Sequence, residues 1–255
     1  MTPEHSAFHQ RVTLPLEAKL LALPLGDLFT GALYDEDEVP VALLDLRDLG
    51  DAGLVLSPAE VGRLFMAPDE SVVSILKLRE KSDGTPAGVN VLSTNDFVQE
   101  GERVAVVAYA NAAGAGVRID ALNLCRVMLK EDAPERFCTV AFGLQACTAF
   151  RLGFAEITVF AGGRGYGAAG LDADDLVGYQ VWPKFGFDSP LQAVDLNREP
   201  RFVNCQCVQD VVQLDAEWWA ANGRGVEMRF DLSPDSRSWR VLLNYLYTVF
   251  PEERS

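Results

Sequence analysis

The residue types able to do chemistry are few in this 255-residue chain, and their placement narrows the options quickly. Its two histidines, His5 and His9, both lie in a polar leader. No Ser-His-Asp or Cys-His pair can therefore form in the body of the chain without help from the N-terminus. Cys205-x-Cys207 points two thiols the same way on an extended strand, but no second Cys or His pair lies nearby to complete a zinc set. No metal site is expected. Gly165-x-Gly167-x-x-Gly170 matches a dinucleotide-loop spacing after a strand, yet the following Leu171–Gly178 is short and acidic rather than a long helix. A loop over a cleft is the expected form, with Arg164 able to meet an acidic group. Glu156, Asp172, Asp174, Asp175 and Asp188 are the carboxylates able to take a proton from an amine.

The elements that must position these groups run from Leu122 to Phe187. The pattern predicts a strand over Leu122–Leu129, a loop over Lys130–Cys138, a helix over Thr139–Gly153 and a strand over Phe154–Ala161. Val140, Leu144, Cys147 and Phe150 form one apolar stripe on the helix. Upstream, Val104–Tyr109 and Val117–Leu129 read as antiparallel neighbours joined through Asn111–Gly116. The apolar phase of the second slips by one residue near Ala121–Asn123, which implies a bulge.

Within this stretch, Ala149-x-x-Leu152-Gly153-Phe154-x-x-Ile157 and Gly178-Tyr179-x-x-Trp182-Pro183-x-x-Gly186-Phe187 resemble two passages of the GNAT superfamily of acyl-CoA-dependent N-acyltransferases. The resemblance implies an α/β (α+β) fold: a mixed, mostly antiparallel sheet flanked by helices on both faces. It also implies an acyl-CoA held by strand edges at Asn123, Leu124, Val127 and Leu129 and by Arg136. Tyr179 would protonate the leaving thiolate, since Trp182 stands where the family often has tyrosine, and Glu156 would serve as base. The family's pyrophosphate loop is glycine-rich because successive backbone N–H groups hold the phosphates. Here it is Ala133-Pro134-Glu135-Arg136-Phe137-Cys138, without glycine. Pro134 has no N–H, Glu135 brings a negative charge, and Arg136 alone can meet a phosphate.

Two functions follow. In the first, the chain has lost acyl-CoA, uses no cofactor and binds a protein partner as a regulator, effector or immunity-type factor. In the second, it transfers an acetyl group from acetyl-CoA to an amine of a small molecule or protein.

The formal charge of −15 opposes binding to nucleic acid or anionic membrane and favours a partner with a basic surface. Apolar residues make up 49 % and charged residues 23 %, enough to bury a sizeable core. Five cysteines, an odd number in mostly apolar contexts, suit a reducing compartment. With no basic-then-apolar leader and no long uncharged run, a cytoplasmic location is expected, signal-independent export remaining open.

The expected division is an N-terminal extension over 1–69 packing on the core, a GNAT-like core over 70–203 and a C-terminal helical element over 204–255. In the first part, Leu14–Pro24 holds about two turns of helix between prolines and Asp35–Glu38 a solvated loop. Val39–Leu49 reads as a strand, and Ser57-Pro58-x-Glu60 as a capped helix start. Ser71–Glu80 reads as a strand. In the last part, Phe202–Cys207 is extended. A helix follows with the stripe Val208, Val211, Val212, Trp218 and Trp219, ending at Gly223; Met228–Leu232 reads as a short strand, and Ser233-Pro234-Asp235 opens a final helix that halts at Pro251.

Overall fold

The computed structural model describes residues 2–47, 54–80, 86–111, 114–120, 129–130, 132–163, 178–192 and 199–251. The fold is α+β. Six strands form one sheet in chain order: β3 Val72–Leu78, β4 Gly88–Thr94, β5 Val104–Asn111, β6 Gly114–Asp120, β7 Glu156–Ala161 and β8 Val226–Asp231. Every neighbouring pair is antiparallel except β6 and β7, which are parallel. A parallel pair needs a crossover, and the helix Phe137–Arg151 (α4) lies between them in the chain. A separate two-stranded ladder joins β1 Leu44–Asp45 to β2 Val55–Leu56.

Alternation along the strands builds the core. Register places Val73, Val91, Val106, Ile119, Val159 and Met228 on one face of the sheet, and those whose side chains are described are buried. On that face Phe230 of β8 meets Phe142 of α4 and Trp239 of the last helix, Arg237–Val249 (α7). Both helices therefore cover the same side. On the second face Leu76 is exposed and Asn90, Leu92, Tyr109 and Glu156 are partly buried.

Helix α4 is the central element. The sequence stripe underestimates it, because every residue from Thr139 to Phe150 is buried. A helix apolar all round must be covered all round. One side meets the sheet. The other meets α2 Leu14–Leu21 and α3 Pro58–Leu64, with Leu20 pressed against Gly143 where a β-carbon would stand 2.7 Å from its methyl. Helix α4 ends on a Schellman arrangement: Gly153 has φ +84°, its N–H donates to Phe150 O, and Phe154 N–H donates to Ala149 O.

Several sequence expectations are redrawn. The polar leader is helical: Thr2 caps α1 Pro3–Phe8, a π turn spans His9–Thr13, and α2 follows. His5 stacks on Phe150 with ring centroids 3.8 Å apart, and its Nε2 lies 2.9 Å from Phe150 O. Among the described residues the strand expected over Val39–Leu49 is corrected to β1 alone, because Pro40 bridges Tyr34 and Asp35 closes a turn by accepting from Asp37 and Val39 N–H. The Asn111–Gly116 loop is corrected too, since Asn111 and Gly114 are paired strand residues. Phe202–Cys207 is not a strand: Pro200–Phe202 is a 3-10 turn and only Cys207 bridges, to Pro190. The C-terminal part supplies β8, an edge strand of the main sheet, where the sequence reads a short strand over Met228–Leu232. Its first helix, Val208–Asn222 (α6), breaks at Asp215 (φ −159°, ψ 87°). The capped start at Ser57 forms as expected, with the reciprocal bonds between Ser57 and Glu60.

Candidate functional site

Three of the positions expected to hold a cofactor, Asn123, Leu124 and Val127, lie outside the described residues, as do the bulge near Ala121–Asn123, Arg164, the Gly165–Gly170 loop and Asp172, Asp174 and Asp175. Leu129 is described: it forms an isolated bridge with Val98, while Gln99 Nε2 donates to its carbonyl at 3.3 Å.

Arg136 precedes α4 as its N-cap, in the left-handed region at φ 69°. Its guanidinium is turned to the far end of the chain. Nη1 donates to Val249 O at 2.9 Å and the group lies 5.6 Å from the centre of the Phe250 ring. Arg136 thus satisfies a carbonyl at the end of α7, where cations are favoured by the helix dipole. The loop is closed on itself: Phe137 N–H donates to Pro134 O at 3.0 Å and Ala133 N–H to Lys130 O at 3.1 Å. The Phe137 side chain is buried against Phe29 and Phe97. Burial pushes the neighbouring Cys138 thiol up to about 11. Two of the loop's backbone N–H groups are thereby spent within the loop itself.

Tyr179 opens the short helix Gly178–Val181 (α5) and is buried. Its hydroxyl donates to Ala220 O at 3.0 Å and accepts from Gln180 Nε2 at 2.9 Å, and its carbonyl accepts from Trp219 Nε1 at 2.9 Å. These bonds join α5 to α6. Its N–H donates to Gly162 O, just beyond the end of β7, whereas Glu156 starts that strand. At about 3.3 Å per residue the two are roughly 20 Å apart along the strand. The expected acid and base do not converge on one reacting atom.

Glu156 belongs to a different group on the second face of the sheet. Tyr109 Oη donates to Oε1 at 3.4 Å and Arg229 Nη1 lies 3.4 Å from Oε2. Register alone brings the three strands β5, β7 and β8 together here, so no local pattern announces this cluster. Asp188, another candidate base, instead accepts from Ser189 and Gln209 N–H, while its backbone pairs with Arg229.

The sequence reading also missed a cluster at the start of α6. Asp210 accepts from Gln206 and Cys207 N–H and from Arg237 Nη1 at 2.7 Å, and Arg237 Nη1 lies 3.3 Å from Cys207 Sγ. Burial alone raises the Asp210 carboxyl, but these donors outweigh it and hold the group at about 2. Cys207 is pushed up to about 12, by burial first and then by Asp188. Its thiol is protonated and a poor nucleophile. The legible signal was Cys207-x-x-Asp210, a capping-box spacing with cysteine in the place of serine.

The Gly178–Phe187 motif is core. Trp182, Phe185 and Phe187 pack around Phe142 with ring centroids 5.1 to 6.0 Å from it. Gly186 (φ +94°) is required twice over, because a β-carbon there would stand 2.3 Å from Ser238 O. Gln209 Nε2 locks the turn by donating to Pro183 O and Phe187 O.

Among the described residues no group of three His, Cys, Asp or Glu side chains is placed to hold a metal, and no helix is long and apolar enough to cross a membrane. The cysteines Cys138, Cys147, Cys205 and Cys207 are free thiols. No family model, curated protein or solved structure matches this chain.

Proposed function

We propose that this is a GNAT-like chain that has given up acyl-CoA and acts by binding a protein partner with a basic surface. The resemblance is supported by the order β6, α4, β7 with β6 and β7 as parallel neighbours. The loss of cofactor is supported above all by Arg136, whose guanidinium is engaged by Val249 O and Phe250 on a glycine-free loop. Freeing it for phosphate would break those contacts. The net charge of −15 supports a basic partner through long-range attraction.

Calorimetric titration with acetyl-CoA and with CoA, on the protein and on Arg136→Ala, tests the first half. No heat at millimolar ligand is expected for either protein. Micromolar binding that weakens in Arg136→Ala would overturn it. The second half is tested by isolating a partner and titrating it in purified form, with affinity expected to fall as salt rises.

A further inference from the structure

The main sheet ends on two edges, β3 and β8. The outer side of β8 is met at Arg229, whose N–H and carbonyl exchange bonds with Asp188. On β3, Tyr34 N–H donates to Ser71 O and Val73 N–H to Tyr34 O, so Val73 faces away from β4. Residues of a strand alternate in this respect, and Ile75 therefore also directs its N–H and carbonyl outward. Among the described residues none bonds to either group. An unpaired strand edge is a template for a further strand.

The surroundings of this opening carry a definite sign. Tyr34 bridges Val72 in parallel, so Asp35 leads along β3 toward Ile75, into the turn that Val39 closes. Glu36, Asp37 and Glu38 of that turn are exposed and, among the described residues, in no ion pair. The cation on β3, Lys77, is already engaged with Asp45 of β1. Val72 and Leu76 share the second face beside the edge, and both are exposed.

We propose that the β3 edge at Ile75 takes an extended segment of a protein partner as an added strand, with lysine or arginine against Glu36–Glu38 and apolar side chains beside Leu76. Backbone bonds attach the segment and charge selects it. This rests on the basic-partner reading and gives that partner a docking place.

The probe is an end-blocked Lys-Val-Lys-Val-Lys peptide, titrated into the full chain while amide hydrogen exchange is followed by nuclear magnetic resonance. At saturation the Ile75 amide is expected to exchange about tenfold more slowly or better. The same peptide N-methylated at every residue keeps its charge, lacks strand donors and should not bind. A Glu-Val-Glu-Val-Glu peptide should not bind either. Glu36→Lys combined with Asp37→Lys should weaken the first peptide by about tenfold. Ile75→Pro should abolish its binding and keep β3 on β4, since the lost N–H points outward. The methylated peptide makes the same test without altering the protein. No binding, unchanged Ile75 exchange, or equal binding of the methylated peptide would each overturn the proposal. A purified partner bound equally well by the lysine and proline variants would overturn this site and leave the basic-partner reading standing. A dimer in sedimentation velocity that Ile75→Pro dissolves would give the edge to a second copy and overturn the proposal as well.

Discussion

Arg136 occupies a backbone conformation that an L-residue enters at a cost of about 1–2 kcal/mol, and its side chain offsets that cost through Val249 O and the Phe250 ring. The two contributions can be separated. Arg136→Gly loses the contacts and the strain together, whereas Arg136→Ala loses only the contacts. Arg136→Ala is expected to be the less stable variant by about 1 kcal/mol in urea unfolding. Equal stabilities would mean the left-handed geometry is not maintained in solution. Tyr179 is a second case where a residue resembling a catalytic acid is tied into structure. Tyr179→Phe should cost about 1 kcal/mol, by loss of the bonds to Ala220 O and Gln180.

Asp210 links side-chain chemistry to pH. Its folded carboxyl is held at about 2, below the ordinary 3.8. A depressed carboxylate contributes stability that is fully present above its unfolded value and is lost as pH falls through its folded value. The protein is therefore expected to lose this contribution between about pH 4 and pH 2. Asp210→Asn should flatten the acid limb of a melting-temperature profile in that window and leave the neutral protein less stable by about 2 kcal/mol. An unchanged acid limb would place the acid sensitivity in other carboxylates.

At the scale of elements, the N-terminal helices are part of the core and not an appendage. Phe8 is buried and meets both Phe150 and Trp239. Glu17 of α2 is buried, with Arg63 of α3 at 3.1 Å and Arg151 of α4 at 4.0 Å, while Arg151 also reaches Glu60 at 2.8 Å. Removing one partner of such a group leaves the others uncompensated. Glu17→Ala is expected to cost about 3 kcal/mol, and Phe8→Ala a similar amount through the cavity it leaves. Chemical denaturation reads both. Values below about 0.5 kcal/mol would show that the leader is dispensable to the core.

The sequence conveyed element types better than their partners. The capping box at Ser57 and the glycine stop at Gly153 were legible because both depend on backbone bonds within a few residues. The full burial of α4 was not, because α2 and α3 reach it from well over a hundred and from some eighty residues away in the chain. Polar positions such as Gln145 interrupt its apolar stripe, and Gln145 is buried only because Leu64 O accepts from its Nε2 at 2.8 Å.

At the scale of the whole molecule, one apolar cluster extends from Phe8 to Leu246, and the six-stranded sheet draws β8 from the C-terminal part. Unfolding of the parts expected as 1–69, 70–203 and 204–255 should accordingly be cooperative, with near- and far-ultraviolet circular dichroism changing together. Two separated transitions would restore independent parts. The sequence by itself determined the α+β class, the helix α4 with the strand β7 that follows it, and the loop without glycine, since these rest on periodicity, backbone stereochemistry and residue identity. Only the tertiary structure decided that Arg136 caps a distant helix, that Tyr179 and Glu156 lie at opposite ends of a strand, and that Tyr109, Glu156 and Arg229 share a face. Those are relations between residues far apart in the chain. They are set by sheet register and helix packing, which local sequence patterns do not encode.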